Sequence, residues 1–496
     1  MKLSDQAGLL LSSKALTAML FFVQGPILAR VLSVPDYGTF LQVNILTSVM
    51  VSTTAWGLPQ GMFYFFPRLS PEKRGGFILR TINAVLVLNV IGGVLFYVGS
   101  DQIGTWMNNP NLSELAILVV FLSAAMAISD NIESVLLVSR RMLLLGVCLP
   151  TRAVLRVSAA IIPPLLGMGL KGILWGLILV MLGESLFLYS YVLRTADESV
   201  AVFGSVKEIA ERFQYSSPIA LSTISLSLGS TVDKFIVSGF SSVKDFAVYA
   251  RCAFEFPMIG MISSALTDLL LTRFVEMWIA KDNKGIAHLI REGIRRMACI
   301  FYPTCVLCWI LAPEIIAILF TESYSGGTSY FRIFLFTLLL QVGPCYAALR
   351  ATGDTKLVFG ATLVKAGGGI LLSLVAVMSV GLTGVAVGVV AAHALAVVYV
   401  VVITSRRLGV TPSAIIPGKE LMQILAVSVV SAITVSPLTW WIESKIITVF
   451  IVGLAYVVIC ASLAMVFKVV SDGDQAILRR WVSLIRMRLP LLRASS

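Results

Sequence analysis

The chain has 496 residues, of which 58% are hydrophobic and 13% charged, and its net charge is +12. A soluble domain carries about 25% charged residues, so this composition excludes an ordinary globular enzyme; with apolar runs of about 20 residues recurring along the chain, it marks a polytopic membrane protein. The excess Lys and Arg fall in loops between those runs, as the positive-inside rule places them, so the charge gives no reason to expect a nucleic-acid partner.

The first apolar run follows Met1-Lys2-Leu3-Ser4-Asp5 and lacks a small-residue cleavage site, so residues 9–29 read as an uncleaved helix. Further spans are expected at 39–66, 77–99, 113–138, 143–167 and 171–193. The second half repeats the count at 213–239, 246–272, 294–320, 328–349, 356–378 and 382–404, and a last pair follows at 420–442 and 446–467. The expected fold is therefore an all-α polytopic membrane protein with about 14 transmembrane helices. Two six-helix lobes at 1–205 and 206–410 are followed by an additional helix pair at 411–470 and a tail at 471–496.

Loop charge sets the orientation. The segment Pro67–Arg80 holds Arg68, Lys73, Arg74 and Arg80 against Glu72, and Ser139–Gly146 holds Arg140 and Arg141. Arg273–Arg296 and Ser405–Lys419 are basic too, whereas the alternate loops around Asp101–Glu114, Glu322 and Ser379–Thr383 are acidic or nearly neutral. Every second loop and both termini are thus expected in the cytoplasm. No loop is long enough for a folded catalytic domain. The tail segment Gln475–Arg493 interleaves Arg479, Arg480, Arg486 and Arg488 with Leu478, Trp481, Leu484 and Ile485, the pattern of a basic amphipathic helix on an anionic leaflet.

The seven cysteines lie mostly inside apolar stretches, where they act as small hydrophobes. Cys305-Val306-Leu307-Cys308 is formally a C-x-x-C pair, but it sits in an apolar helix between Tyr302 and Trp309. Neither a metal site nor a cofactor is expected. A Walker A motif is absent from the sequence, which argues against ATP hydrolysis.

An internal repeat is readable. Gly169-Leu170-Lys171-Gly172-Ile173-Leu174-Trp175-Gly176 matches Gly381-Leu382-Thr383-Gly384-Val385-Ala386-Val387-Gly388 in the pattern G-L-x-G-x-x-x-G. At nearly the same offset, Ser139-Arg140-Arg141-Met142 matches Thr352-Gly353-Asp354-Thr355, and carrying it forward pairs Arg152 with Lys365. Each cation then lies about ten residues, or ~15 Å, into its helix, near the bilayer midplane. A fainter echo joins the polar turn Ser33–Tyr37 to the turn Ser241–Asp245, which links two apolar helices between Arg212 and Arg273 carrying Asp233, Lys234, Arg251, Glu255 and Asp268.

These features carry a resemblance. Leu28-Ala29-Arg30-Val31-Leu32-Ser33-Val34-Pro35-Asp36-Tyr37-Gly38, the turn Leu349-Arg350-Ala351-Thr352-Gly353-Asp354-Thr355-Lys356 and the two-by-six repeat resemble the multidrug/oligosaccharidyl-lipid/polysaccharide exporter superfamily. Within it, the chain looks like the bacterial polysaccharide (Wzx-type) flippase branch. The resemblance implies two lobes that rock between inward-open and outward-open states in the bacterial inner membrane. It also implies a cationic central cavity that carries the headgroup of an undecaprenyl-pyrophosphate-linked oligosaccharide, for O-antigen, capsule or exopolysaccharide assembly. Membrane lipid and polysaccharide polymerase or export proteins are the implied partners.

Candidate cavity cations are Arg152, Arg156 and Lys365, with Arg251 and Lys14 behind them. Arg152 and Arg156 share one helical face and suit bidentate phosphate contact; their structural alternative is an ion pair inside the bundle. Glu184, Glu255, Asp233 and His393 are candidates for coupling to H+ or Na+ or for gating. Each has a structural alternative: Glu184 would neutralise Arg152 or Arg156, Glu255 would pair with Arg251, Asp233 would sit at cheap interfacial depth, and His393 would be a satisfied core residue. Asp130 and Glu133 are expected to pair with Arg140 and Arg141, and Asp268 with Arg273.

Two rivals use the same fold. A cation-coupled multidrug exporter would have an acidic cavity, and a lipid II flippase would have an arginine-rich first helix, where this chain has only Lys14 and Arg30. A membrane glycosyltransferase or polymerase would need a large external loop or an interfacial carboxylate cluster, and the sequence has neither.

Overall fold

A computed structural model describes residues 3–194, 206–254 and 257–467. The principal helices in chain order begin with α1 (Leu3–Val31), α2 (Val34–Thr54), α3 (Leu58–Phe65) and α4 (Pro71–Val98). They continue with α5 (Ala116–Ser129), α6 (Asn131–Val138), α7 (Met142–Leu165), α8 (Gly169–Leu193) and α9 (Val206–Phe240). Then come α10 (Val243–Cys252), α11 (Pro257–Ile279), α12 (Asn283–Ile310), α13 (Thr328–Leu335) and α14 (Gly343–Ala351). The last are α15 (Thr355–Val380), α16 (Leu382–Leu408), α17 (Gly418–Val435) and α18 (Lys445–Val466). The all-helical membrane architecture read from composition is what the chain adopts.

Among the described residues, ten helices are long and apolar enough to cross a membrane, or eleven if the pair Glu322–Leu340 and Gly343–Ala351, bent by 44°, is one span. The spans expected at 39–66, 213–239 and 246–272 exist as helices outside that set. The first breaks at Trp56 and Gly57, whose φ values are 46° and 66°. Pro59 stands in the first turn of α3 and confirms the restart. Gly57 is needed there because a Cβ would lie 3.0 Å from the Ala220 nitrogen and the Ser216 oxygen of α9. The second, α9, is continuous but polar, with Asp233, Lys234 and a run of serines and threonines from Ser216 to Thr231. The third divides at Ala253, between α10 and α11. The basic tail at 471–496 lies outside the described residues.

By contacts between Cα atoms the chain forms two compact units. One comprises Met1–Met261, Leu319–Phe334 and Lys356–Ala396; the other comprises Ile262–Ile318, Leu335–Thr355 and Val397–Ser496.

In the first unit, α2 and α10 start with the same cap. Ser33 Oγ accepts from the Asp36 backbone N–H at 3.2 Å and donates to its carboxylate at 2.6 Å. Ser242 does the same with Asp245 at 3.1 and 2.7 Å. A Ser followed three residues later by an acid is a helix-start signal with a mechanism: the serine oxygen satisfies an otherwise orphaned backbone N–H, and the carboxylate holds the hydroxyl in place. The two capped starts meet: a Cβ on Gly38 would come within 2.4 Å of the Val243 carbonyl, so only glycine permits this approach. A buried polar network continues the seam. Gln42 Nε2 donates to Ser238 Oγ at 2.7 Å and to Met107 O at 3.0 Å, and Asn109 Nδ2 donates to Gln42 Oε1 at 2.6 Å. A separate apolar core joins Met62, Phe77, Ile82, Val135, Leu145, Leu188 and their neighbours.

The matched glycine runs take matching geometry. Gly169 and Gly381 are left-handed, with φ of 59° and 67°. The third glycine of each run lets its helix approach the preceding one, for a Cβ on Gly176 would lie 2.8 Å from Ala159 O and one on Gly388 2.7 Å from Ser373 N.

In the second unit, α17 and α18 pack on α12 through Leu311, Val427, Val435, Val452 and Tyr456. Arg291 clamps the start of α17, donating to both Glu420 oxygens at 2.7 and 2.9 Å. Trp440 and Trp441 at the far end of that hairpin are almost fully exposed, the placement of an interfacial aromatic belt.

Candidate functional site

Four of the charged residues within apolar helices meet in one cluster in the first unit. Arg152 and Arg156 project from the same face of α7, one turn apart. Glu184 faces them from α8, and Ser129 and Asp130 from the break between α5 and α6. Arg152 Nε donates to Glu184 Oε2 at 3.0 Å, and its Nη2 donates to Ser129 O at 3.0 Å and Asp130 Oδ1 at 3.2 Å. Arg156 Nε donates to Glu184 Oε1 at 3.2 Å. Its Nη2 reaches Glu184 Oε2 at 2.7 Å, Ser129 Oγ at 2.9 Å and Asp130 Oδ1 at 3.0 Å.

Two positive and two negative groups therefore balance. The balance has a physical reason: Glu184 is 6% exposed, and an unpaired charge at that depth would be prohibitive. The members are not equally enclosed. The side chains of Arg152, Arg156 and Glu184 are 13%, 12% and 5% exposed, that of Asp130 39%.

Arg152 and Arg156 are both engaged by carboxylates, and Glu184 is their counter-ion, one of the two alternatives the sequence left open. One expected pairing is corrected. Asp130 pairs with these arginines and not with Arg140 or Arg141, while Glu133 takes Lys14 at 2.8 Å. Lys14 is thereby a neutralised charge at the α1–α6 contact, with its side chain 49% exposed. The role of Asp130 was missed because nothing local says which way α5 is rotated about its axis.

Lys365 lies on α15, exposed within an apolar span, and makes no ion pair among the described residues. Its helix runs along α9, where a Cβ on Gly229 would lie 3.0 Å from Ala366. On α16, His393 Nδ1 is buried without a hydrogen-bond partner among the described residues. No hydrogen bond or ion pair joins Lys365 to the α7 arginines among the described residues.

The hairpin charges separate into other environments. The Arg251 guanidinium lies 4.6 Å from the centroid of the buried Tyr37 ring, and Tyr37 donates to Gly25 O at 3.0 Å. Arg251 Nε is buried without a partner among the described residues. Glu255, its expected partner, lies outside the described residues, as does the side chain of Asp268; Arg273 pairs with Glu276 at 3.8 Å. Asp233 is buried and accepts from Tyr249 OH at 3.4 Å, with Lys234 Nζ 3.8 Å away. It is a buried carboxylate with these two neighbours.

The fold is shared with solved transporters. Lipid II flippase MurJ, in an inward closed conformation, superposes with a TM-score of 0.71 at 14% identity, over 93% of this chain and 99% of that one. An inward-facing multidrug resistance MATE family transporter of the MOP superfamily gives 0.59 at 16% identity, over 80% and 94%. A MOP superfamily transporter from Pyrococcus furiosus gives 0.52 at 15% identity, over 81% and 94%. No curated protein matches the sequence. The family model for polysaccharide biosynthesis protein (Polysacc_synt_3) matches residues 27–328, more than half of the chain, and the chain belongs to that family.

Proposed function

We propose that this protein is a flippase of the bacterial inner membrane that moves a polyprenyl-pyrophosphate-linked oligosaccharide by alternating access of two lobes, with both termini in the cytoplasm. The observation that carries the reading is the Arg152–Arg156 pair, two guanidiniums one helical turn apart in an apolar span, each already holding carboxylate oxygens as it would hold phosphate oxygens. A polysaccharide biosynthesis family and a fold shared with a lipid II flippase support it.

In this reading the diphosphate takes the place of Asp130 on the two arginines. The exchange swaps one anion for another, so its electrostatic cost is small compared with stripping a bare arginine of its partner. Glu184 stays in place and holds the guanidiniums in register. Lys365 supplies a further positive charge on α15. Arg251 on the Tyr37 ring belongs to the seam between α2 and α10, and its role is in gating. No bond of the substrate is made or broken, and H+ or Na+ is the candidate driving ion, with Glu184 the candidate coupling residue.

The test is genetic. Deleting the gene should abolish the surface polysaccharide and leave lipid-linked repeat units accumulating on the inner leaflet. Normal polysaccharide in the deletion strain, or loss without accumulation of lipid-linked units, would contradict transport of that substrate.

A further inference from the structure

A second basic site lies away from the embedded cluster. The start of α4, the turn between α6 and α7 and the end of α8 line an open cavity of about 540 Å³, within the usual ~300–1,000 Å³ range of small-molecule sites. Arg74, Arg140 and Arg141 line it, and no carboxylate does among the described residues. None of the three arginines makes an ion pair among the described residues. Glu72, the nearest acid in sequence, is exposed and outside the lining.

Arg74 is half-buried and held in place: its Nε donates to Leu69 O at 3.2 Å and its guanidinium lies 5.1 Å from the centroid of the Phe66 ring. Arg140 sits at φ 56°, a left-handed conformation that disfavours a side chain. The equivalent turn in the second half places Gly353 there, at φ 80°. The two turns share their hydrogen bonds: Arg140 N to Leu137 O and Arg141 N to Leu136 O, against Gly353 N to Arg350 O and Asp354 N to Leu349 O. The first half thus keeps an arginine where backbone chemistry asks for glycine, and a second arginine where the other half has an acid. Arg141 also precedes α7 without capping it, where a cation opposes the helix dipole.

We propose that this cavity binds a phosphate-bearing anion, with Arg74, Arg140 and Arg141 as its donors. The guanidinium forks match phosphate oxygens, and an anion there removes the mutual repulsion of three otherwise unpaired cations. The cavity lies at helix ends that carry basic loops, where the phosphate of an anionic lipid headgroup or a soluble pyrophosphate could reach it. The proposal does not depend on what the protein transports.

The test uses the full chain in nanodiscs of zwitterionic lipid, titrated with inorganic pyrophosphate by calorimetry, and a parallel preparation in which retained phosphatidylglycerol is counted by native mass spectrometry. Arg140→Gly suits the backbone and should leave the melting temperature unchanged or higher. Combined with Arg141→Ala it should weaken binding by about 10-fold or more, equivalent to ~1.4 kcal/mol, and lower its salt dependence. Binding of pyrophosphate identifies the soluble diphosphate as an acceptable ligand, and retention of phosphatidylglycerol alone identifies the lipid headgroup; either supports the site. If neither anion binds the wild type, or the double variant binds as tightly, the proposal is overturned.

Discussion

Glu184→Gln is expected to be among the most destabilising single substitutions in the chain, lowering stability by about 3–5 kcal/mol, the cost of breaking a buried ion pair from one side. The reason is the number of donors Glu184 satisfies. Its two oxygens accept from Arg152 Nε and from Arg156 Nε and Nη2, and it is 6% exposed. The amide keeps the volume but loses the charge, and leaves two guanidiniums sharing one carboxylate. Asp130→Asn should cost less, because the Asp130 side chain is 39% exposed and the second acid remains in place. Thermal unfolding of the purified protein in one detergent measures the order: wild type highest, Asp130→Asn below it, Glu184→Gln lowest. Equal melting temperatures for wild type and Glu184→Gln would mean the cluster is hydrated and does not hold the bundle together.

The second expected result separates structure from function at the same cluster. Arg156→Gln combined with Glu184→Gln removes one charge of each sign. What remains is Arg152 with Asp130, a balanced pair already in contact at 3.2 Å. The double variant should therefore recover most of the stability that Glu184→Gln alone loses, the non-additivity expected of direct partners. Transport should not recover with it. A charge-assisted hydrogen bond is worth about 1.5–3 kcal/mol, so losing the Arg156 fork should slow translocation by about 100-fold. Arg156→Lys should fall between, since it keeps the charge and loses the planar fork. A stable double variant that transports at the wild-type rate would make the cluster purely structural.

Which parts of this were legible beforehand follows from which signals are local. The caps at Ser33 and Ser242, the glycine turns at Gly169 and Gly381, and most helix limits depend on a few adjacent residues, and the chain declares them. The break after α2 was also written, in Trp56-Gly57-Leu58-Pro59, but the apolar run on both sides masked it. Glu184 could be named as a neutraliser of Arg152 or Arg156 because depth alone brings the three to one level. Asp130 could not, because its contact with α7 depends on the rotation of α5 and on a helix break at Asp130 itself. The cavity at Arg74, Arg140 and Arg141 was hidden for a different reason. Its residues looked like ordinary positive-inside charge, and only the left-handed backbone at Arg140 and the missing acids set them apart.

The central claim is that embedded arginines carry a diphosphate headgroup across the membrane. It is tested most directly by reconstituting the protein into vesicles loaded with a polyprenyl-pyrophosphate-linked oligosaccharide and following when the sugar becomes accessible on the opposite face. The account predicts exposure well above protein-free vesicles for the wild type, and a fall of about 100-fold when Arg156 and Glu184 are both glutamine. Translocation no faster than in protein-free vesicles, or unaffected by that double substitution, would contradict it.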